Sequence, residues 1–271
     1  MPELPEVETI ARALNDGGRG APPIKDRKIS AVDVLWPRTL ATPQLIEFKS
    51  RLVGQVIHGV KRRGKFLCIS LECGFLYFHL RMSGDMRVQH GTELQTHDRL
   101  VIDFIDGWRL AFNDPRKFGR AWLVDDPEEV VGDLGPEPLD PELTPAVFWE
   151  RLHQKKRQLK PLLLDQSFLA GLGNIYSDEA LHLAKLHPLR SSETVTQAEA
   201  ALLLKAIRIV IEEGIRRNGA SIDWVYRGGD FQNYFRAYQR TGERCPECGT
   251  AIQRIVVGQR STHFCPECQK L

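Results

Sequence analysis

The spacing of hydrophobic residues changes twice along the chain. Residues 5–15 carry apolar side chains three and four positions apart, which predicts an amphipathic helix. From about residue 28 to residue 125, apolar and polar residues alternate, which predicts a series of strands. Beyond residue 145 the helical spacing returns. The pattern therefore predicts an α+β, multidomain protein with its strands in the first half.

The strand-rich region has short connections, and Asp106-Gly107 is a strong hairpin turn. Seven or so strands joined in this way predict an antiparallel sandwich or barrel. The candidate strands are Lys28–Leu35, Leu52–Lys61, Lys65–Leu71, Phe75–Met82, Arg99–Ile105, Trp108–Phe112 and Arg120–Val124.

A proline-rich stretch at 132–145 predicts a linker between the two halves. Four helices are predicted after it, at about 146–158, 161–166, 174–186 and 196–217. The last has the clearest start, because Thr196 is followed three residues later by Glu199 in the pattern of a capping box. Residues 219–240, rich in glycine, arginine and aromatic residues, have no clear period and predict a loop.

The composition is that of a globular protein, with 42% hydrophobic and 27% charged residues among 271. No apolar run approaches the ~20 residues of a membrane span, and no signal-peptide pattern opens the chain. We therefore expect a cytoplasmic protein with no membrane association. The net charge of +2 does not by itself indicate nucleic-acid binding, although basic residues are in excess after residue 216.

Four of the six cysteines form two C-x-x-C pairs separated by sixteen residues. This spacing is typical of a structural zinc site, and a pair of redox dithiols is the alternative. Four thiolates leave no open position for water, so one structural Zn²⁺ is expected. A β-hairpin turning at Gly258-Gln259 is predicted between the pairs, and Cys68 and Cys73 are predicted to be inert thiols. The candidate ligands are Cys245, Cys248, Cys265 and Cys268.

The N-terminus offers a nucleophile. If Met1 is removed, the nitrogen of Pro2 becomes a free secondary amine beside the carboxylate of Glu3. A free α-amine titrates near ~7.7–8.0, so much of it is neutral at physiological pH. Attack of such an amine on an aldehyde-level carbon gives an iminium, which accepts electrons in elimination reactions. The alternative is an ordinary helix start, which proline and glutamate both favour.

Further motifs give the chain a resemblance to a known family. They are Met1-Pro2-Glu3-Leu4-Pro5-Glu6-Val7-Glu8, Arg62-Arg63-Gly64-Lys65-Phe66-Leu67, His79-Leu80-Arg81-Met82-Ser83-Gly84, Asn113-Asp114-Pro115-Arg116-Lys117-Phe118-Gly119, Leu134-Gly135-Pro136-Glu137-Pro138-Leu139, Lys160-Pro161 and Gly171-Leu172-Gly173-Asn174-Ile175-Tyr176. With the four-cysteine segment, they make the chain resemble the bacterial formamidopyrimidine-DNA glycosylases over its whole length. The resemblance implies an N-terminal helix with an antiparallel β-sandwich (1–133), a helix–two-turn–helix domain with a lesion-covering loop (134–235) and a zinc finger (236–271).

The resemblance also implies an activity. The family removes oxidised purines, such as 8-oxoguanine and formamidopyrimidines, from double-stranded DNA and cuts the strand by β- and δ-elimination, acting as a monomer. The catalytic residues it implies are Pro2 as nucleophile, Glu3 as the acid that protonates the sugar ring oxygen, Lys65 in β-elimination, Arg260 in δ-elimination, and Glu6 as an organiser of the pocket. For Glu6, a solvated carboxylate in the first helical turn is the alternative.

Eight residues are implied as DNA contacts. Met82, Arg116 and Phe118 would fill the gap left by a flipped nucleotide. His97, Lys117 and Lys156 would contact phosphates, and Lys160 would lie near the damaged base. Asn174 would bind phosphate at a helix start, with a plain N-cap as the alternative.

The chain departs from the family pattern at two turns and one loop. Arg81 and Gln239 stand where glycine is frequent. The loop at 219–234 is where the family covers the flipped base, and its Trp224 and Tyr226, with Arg227, leave the lesion preference open.

Two other functions remain open from the sequence. The sister endonuclease VIII type acts on oxidised pyrimidines, and Leu4 with Arg116 and Phe118 favours the purine branch. A catalytically silent zinc-finger protein is the other, although it would not need Pro2, Glu3 and Lys65 together. A hydrolase with a catalytic zinc is disfavoured because all four ligands are cysteines.

Overall fold

The computed structural model describes residues 1–221 and 228–271, and these form two compact units. Unit 1 comprises Met1–Asp133 with the described ends of Asn218–Gly229. Unit 2 comprises Leu134–Arg217 and Asp230–Leu271. Within the described ranges, no helix has both the length and the apolar character needed to cross a membrane.

Unit 1 is a two-sheet sandwich that carries the N-terminal helix. Its elements are α1 (Leu4–Asp16), β1 (Ile29–Val34), β2 (Leu40–Thr42), α2 (Leu45–Leu52), β3 (Ile57–Arg63), β4 (Phe66–Leu71), β5 (Phe75–His79), β6 (Asp85–His90), β7 (Asp98–Phe104), β8 (Trp108–Asn113), β9 (Arg120–Val124) and α3 (Glu128–Val131). One sheet has the order β1-β7-β8-β6 and the other β2-β9-β5-β4-β3. All neighbours are antiparallel except β2 and β9. Both sheets and α1 contribute to one apolar core, in which the rings of Phe78 and Phe112 lie 5.4 Å apart.

The predicted antiparallel sandwich is confirmed, with differences at several ends. The predicted strand at Leu52–Lys61 is wrong at its start, because Leu52 closes helix α2, where it and Phe48 bury one face. Strand β5 stops at His79 instead of Met82, because Arg81 takes a left-handed backbone conformation with φ 56°. Strands β2 and β6 and helices α2 and α3 were not predicted.

Unit 2 is helical and ends in a two-stranded hairpin. Its elements are α4 (Pro145–His153), α5 (Leu159–Leu164), α6 (Asn174–Leu183), α7 (Gln197–Arg216), β10 (Gln253–Val257) and β11 (Arg260–Phe264). Helix α5 begins two residues before the predicted start, since a proline such as Pro161 is tolerated in the first turn. The capping box is confirmed: Thr196 N donates to Glu199 Oε2 at 2.8 Å and Glu199 N donates to Thr196 Oγ1 at 3.3 Å.

The predicted linker is fixed to helix α7. The guanidinium of Arg208 donates to the carbonyl oxygens of Pro138, Asp140 and Leu143 at 2.8–3.0 Å. Because an arginine has five N–H donors in a rigid fork, one side chain holds the whole stretch. The stretch therefore enters α4 from a defined position.

Candidate active site and zinc centre

The N-terminal residues of unit 1 are buried at the start of α1. Pro2 is buried, Glu3 and Glu6 are each 2% exposed, and the Glu3 backbone N–H donates to Glu6 Oε2 at 2.8 Å. A buried carboxylate needs hydrogen-bond donors to be stable. The alternative of a solvated Glu6 is therefore wrong.

Glu6 also holds the chain just before the loop that follows α7. Its Oε1 accepts the backbone N–H of Ala220 at 2.7 Å. Gly219 lies directly against the carboxylate, since a methyl group there would be 2.6 Å from Oε1. The Glu6 carboxylate thus bonds both to Glu3, the residue after Pro2, and to Ala220, at the start of the loop expected to cover the lesion. Trp224, Tyr226 and Arg227 of that loop lie outside the described residues.

Lys65 occupies the two-residue turn between β3 and β4 and is 5% exposed. The ring of His79 lies on the neighbouring strand, and its Nδ1 accepts the backbone N–H of Arg81 at 3.0 Å. Burial, together with the charges of Arg81 and Lys65, lowers the pKa of His79 to about 3. The imidazole is therefore neutral at physiological pH. His79 was not identified from the sequence as a neighbour of this turn.

An ion pair links α1 to the strand that leads to Lys65. Arg62 Nε donates to Glu8 Oε2 at 2.7 Å, and the Arg62 side chain is 8% exposed. Burial alone would raise the pKa of Glu8, but its hydrogen bonds and charge interactions with Arg62 and Arg12 lower it. The pair fixes the helix that carries Glu3 against the β3–β4 hairpin that carries Lys65.

The three proposed gap-filling residues lie on two adjacent loops. Met82 is 38% and Phe118 49% exposed, and the guanidinium carbon of Arg116 lies 5.1 Å from the centre of the Phe118 ring. The fully buried carboxylate of Asp114 joins the loops. It accepts the hydroxyl of Ser83 and the backbone N–H groups of Arg116 and Gly119.

The two proposed phosphate contacts of unit 1 adjoin the same loops. The His97 carbonyl accepts the backbone N–H of Asp114 at 3.0 Å. The Lys117 ammonium lies 4.1 Å from the centre of the Trp36 ring, a cation–π distance. Both residues are exposed and adopt positive φ angles, 77° for His97 and 61° for Lys117. Such backbone conformations are uncommon outside glycine and concentrate at functional sites.

Lys160, expected to lie near the damaged base, is buried in unit 2. Its side chain is fully buried, and Nζ donates to Asp178 Oδ1 at 2.6 Å, Ser177 Oγ at 2.8 Å and the Asn174 carbonyl at 2.9 Å. All three N–H donors of an ammonium have acceptors in this arrangement. Lys160 therefore supports the start of α6 from within.

Asn174 and Arg260 are brought together in unit 2. The N-cap of α6 is Gly173, so the N-cap alternative for Asn174 is wrong. The Asn174 amide instead donates to the Ser261 carbonyl at 2.9 Å, next to the exposed Arg260 at the start of β11. Lys156 has a side chain that is 81% exposed, and its ammonium lies 3.3 Å from Glu193.

Helix α6 binds the cysteine-bearing segment through buried carboxylates as well. Asp178 Oδ2 accepts the backbone N–H of His263 at 2.9 Å and faces its Nδ1 at 3.0 Å. Glu179 accepts the backbone N–H groups of three successive residues, Arg236 to Tyr238, at 2.8–2.9 Å. Burial raises the pKa of Glu179 despite these bonds. The sequence did not identify either carboxylate.

The four cysteines of the two C-x-x-C pairs converge on one point. Their sulfur atoms all lie within 4.8 Å of one another. In each pair the first cysteine's carbonyl accepts a backbone N–H four residues later, from Gly249 and from Gln269, at 2.9 Å. The predicted hairpin turn is also present, with φ 54° at Gly258 and 62° at Gln259. Four thiolates in such a cluster fit one tetrahedral zinc ion.

Of the other two thiols, Cys68 has the features expected of an inert thiol. Cys68 is half-buried in β4, and burial raises the pKa of its thiol, which disfavours the reactive thiolate. Cys73 lies exposed in the β4–β5 turn.

Three family models match successive parts of the chain. The formamidopyrimidine-DNA glycosylase N-terminal domain matches residues 1–121, the H2TH domain of that enzyme matches residues 134–225, and a zinc finger found in FPG and IleRS matches residues 242–271. The last match and the sulfur cluster confirm the structural zinc site.

Individual relatives agree with these matches. A formamidopyrimidine-DNA glycosylase from Chloroflexus aggregans is 46% identical over 100% of this chain and 99% of its own. A Lactococcus lactis FPG variant bound to Fapy-dG containing DNA has a TM-score of 0.91 and 36% identity over 100% of both chains. The Lactococcus lactis Fpg bound to abasic site containing DNA has a TM-score of 0.91 and 36% identity, over 99% of this chain and 100% of that chain. This chain belongs to the formamidopyrimidine-DNA glycosylase family.

Proposed function

We propose that this protein is a bifunctional repair enzyme, a DNA glycosylase for oxidised purines and a lyase at the abasic site that results. The observation that carries the proposal is the buried cluster of Pro2, Glu3 and Glu6 at the start of α1, with Lys65 on a hairpin clamped to the same helix. Relatives of high similarity are bound to Fapy-dG and to abasic DNA, which supports this substrate class.

The chemistry assigned to Pro2 requires removal of Met1, because the nitrogen of Pro2 in a Met1–Pro2 peptide is an amide without nucleophilicity. The freed nitrogen attacks C1′ of the flipped sugar, and the C1′–base bond breaks as the base departs with the electron pair. Glu3 gives a proton to the ring oxygen, which opens the ring to the iminium. General acid catalysis of this kind contributes about 10²–10⁴-fold.

Lys65 and Arg260 are assigned to the elimination steps. Lys65 assists β-elimination, in which the proton at C2′ is lost and the 3′ phosphate leaves. Arg260 assists δ-elimination, in which the 5′ phosphate leaves. Glu6 organises the pocket through its bonds to Glu3 and Ala220.

The DNA contacts assigned are apolar wedges and phosphate donors. Flipping the nucleotide out of the duplex costs a few kcal/mol of unstacking and leaves a gap in the base stack. Met82 and Phe118, both exposed although apolar, are suited to fill it. Arg116 is assigned to the orphaned cytosine, whereas His97, Lys117, Lys156 and Asn174 are assigned to phosphates.

We further assign three functional domains, at 1–133, 134–235 and 236–271. The protein acts as a monomer on duplex DNA. Its place is the bacterial cytoplasm, in association with the nucleoid, because its substrate is there.

Borohydride trapping tests the proposal. Borohydride reduces the iminium to a stable amine, so the full-length protein should be captured on duplex DNA with 8-oxoguanine opposite cytosine. Capture should be weaker on an oxidised pyrimidine, and strongly reduced in Pro2→Gly but retained in Pro37→Gly, a matched change at an exposed proline. Intact mass should show that Met1 is absent.

Three results would count against the proposal. Capture mainly on the pyrimidine lesion would indicate the sister specificity. Capture by Pro2→Gly at the wild-type level would refute the nucleophile. No capture by a protein that lacks Met1 and still binds DNA would indicate a silent DNA-binding protein.

A further inference from the structure

Helix α6 meets the cysteine-bearing segment at side chains spaced by four residues. Asn174 and Asp178 bind the backbone of Ser261 and His263. His182 lies one turn further along, and its ring is 1% exposed. Its Nε2 lies 3.3 Å from the sulfur of Cys245. The third residue of this row therefore contacts a zinc ligand directly.

The direction of this hydrogen bond follows from the chemistry of the ligand. A cysteine bound to zinc is a thiolate, which accepts hydrogen bonds and has no proton to donate. Nε2 of His182 must therefore carry the hydrogen, and Nδ1 keeps the lone pair. Nδ1 is buried and has no hydrogen-bond partner among the described residues. Phenylalanine would fill the same space without leaving a buried nitrogen unmatched, so packing alone does not account for a histidine.

We propose that His182 is a positioning residue of the zinc centre, whose Nε2–H donates to the Cys245 thiolate and holds that ligand on the metal. Four thiolates and Zn²⁺ carry a net charge of −2, and a hydrogen bond withdraws part of that charge from the sulfur. Cys245 is 3% exposed, so water has little access to supply the same bond. Loss of groups that bind metal ligands typically costs 10–100-fold in metal affinity. The proposal concerns retention of the metal and is independent of the excision reaction.

Zinc affinity of the DNA-free, full-length protein tests the proposal. The variant is His182→Phe, and zinc binding is measured by competition with a chromophoric chelator. The matched control is His187→Phe. His187 also packs on this segment, with its ring 4.7 Å from that of Phe264, but its Nδ1 accepts the backbone N–H of Leu189. We expect zinc affinity to fall about 10–100-fold in His182→Phe and to stay at the wild-type value in His187→Phe.

Cobalt substitution separates a hydrogen bond from packing. Loss of the donor leaves the sulfur more electron-rich, so the thiolate-to-cobalt charge-transfer bands should move to lower energy in His182→Phe and not in His187→Phe. Unchanged affinity with unchanged bands in His182→Phe would overturn the proposal. If that variant does not fold, His182→Gln, which keeps an N–H donor, is compared with His182→Met. Zinc binding that is weaker in His182→Met than in His182→Gln supports the proposal, and equal binding in the two variants refutes it.

Discussion

The hydroxyl of Ser83 donates to the carboxylate of Asp114, and this bond joins the loop of Met82 to the loop of Phe118. Ser83 is 5% exposed and Asp114 is fully buried. The side chains assigned to the gap in the DNA are therefore exposed, whereas the bond that sets their relative position is protected from water. A protein that must insert apolar side chains into a base stack gains from such a buried support, because flexible wedges would lose entropy on binding.

Removal of the Ser83 hydroxyl is expected to loosen both loops. Ser83→Ala deprives the buried carboxylate of one donor, which should lower the free energy of unfolding by about 1–3 kcal/mol and weaken binding to lesion-containing duplex. Urea unfolding and DNA titration measure the two effects. Ser50→Ala, at an exposed serine whose hydroxyl donates to the Glu47 carbonyl, should change stability by less than about 0.5 kcal/mol. Equal effects of the two changes would contradict this account.

The contact between Gly219 and Glu6 predicts a loss of excision from a single methyl group. In Gly219→Ala the added carbon would lie 2.6 Å from Glu6 Oε1, so the carboxylate must move from Glu3 and Ala220. We expect single-turnover base excision to slow by about 10²-fold, since small misplacements at a reacting centre have effects of that size. Gly242→Ala is the control, because φ is 83° there against 81° at Gly219 and no atom lies within 4 Å of the added carbon. If excision slows equally in the two variants, backbone strain and not the clash is responsible for the slowing.

Gln239 is held in a conformation that glycine adopts at lower cost. Its φ is 58°, in the left-handed region, which costs a residue with a side chain about 1–2 kcal/mol. A glycine also makes the unfolded chain more flexible, which favours the unfolded state by about 0.4–1 kcal/mol and offsets part of this gain. Gln239→Gly should therefore raise the free energy of unfolding by up to about 1 kcal/mol. Gln253→Gly, at an exposed strand position, should lower it. A loss of stability in Gln239→Gly would refute the strain argument.

The start of helix α7 should lose stability in acid. The side-chain hydrogen bond from Arg190 and those from Thr196 lower the pKa of Glu199 from 4.5 to about 2. A carboxyl whose pKa is lower in the folded state stabilises the fold above the unfolded pKa, and this contribution disappears as the pH falls through the folded pKa. The difference in unfolding free energy between wild type and Glu199→Gln should thus be full at pH 6 and vanish between about pH 4.5 and 2. A difference for Glu199→Gln that stays constant from pH 6 down to pH 2 would contradict the assignment.

Structural features that depend on residues close together in the chain were predictable from the sequence. The capping box of Thr196 and Glu199 and the spacing of the four cysteines depend on a few adjacent positions. The burial of Lys160 did not follow in the same way, because its partner Asp178 is eighteen positions away and meets it only when α5 packs on α6. Glu6 depends on a donor more than two hundred positions later, Ala220. Long-range partners of this kind decide whether a charged residue is exposed or buried, and no local pattern records them.

The two departures from the family pattern at positions where glycine is frequent share one backbone conformation in the structure. Arg81 and Gln239, the residues that replace a frequent glycine, both have left-handed backbones, with φ 56° and 58°. The chain has kept the turn geometry and accepted its cost at both positions. For Arg81, the side chain brings a positive charge near His79, which glycine could not supply.

The row of Asn174, Asp178 and His182 limits how this protein can evolve. Because each residue of a helix is rotated by about 100° from the last, one residue inserted within α6 would turn part of the row away from its partners. A metal-binding hairpin transplanted from a distant relative would bring its cysteines but not these three acceptors and donors. The C-terminal segment therefore cannot be replaced independently of α6, and the sequences of the two are expected to change together.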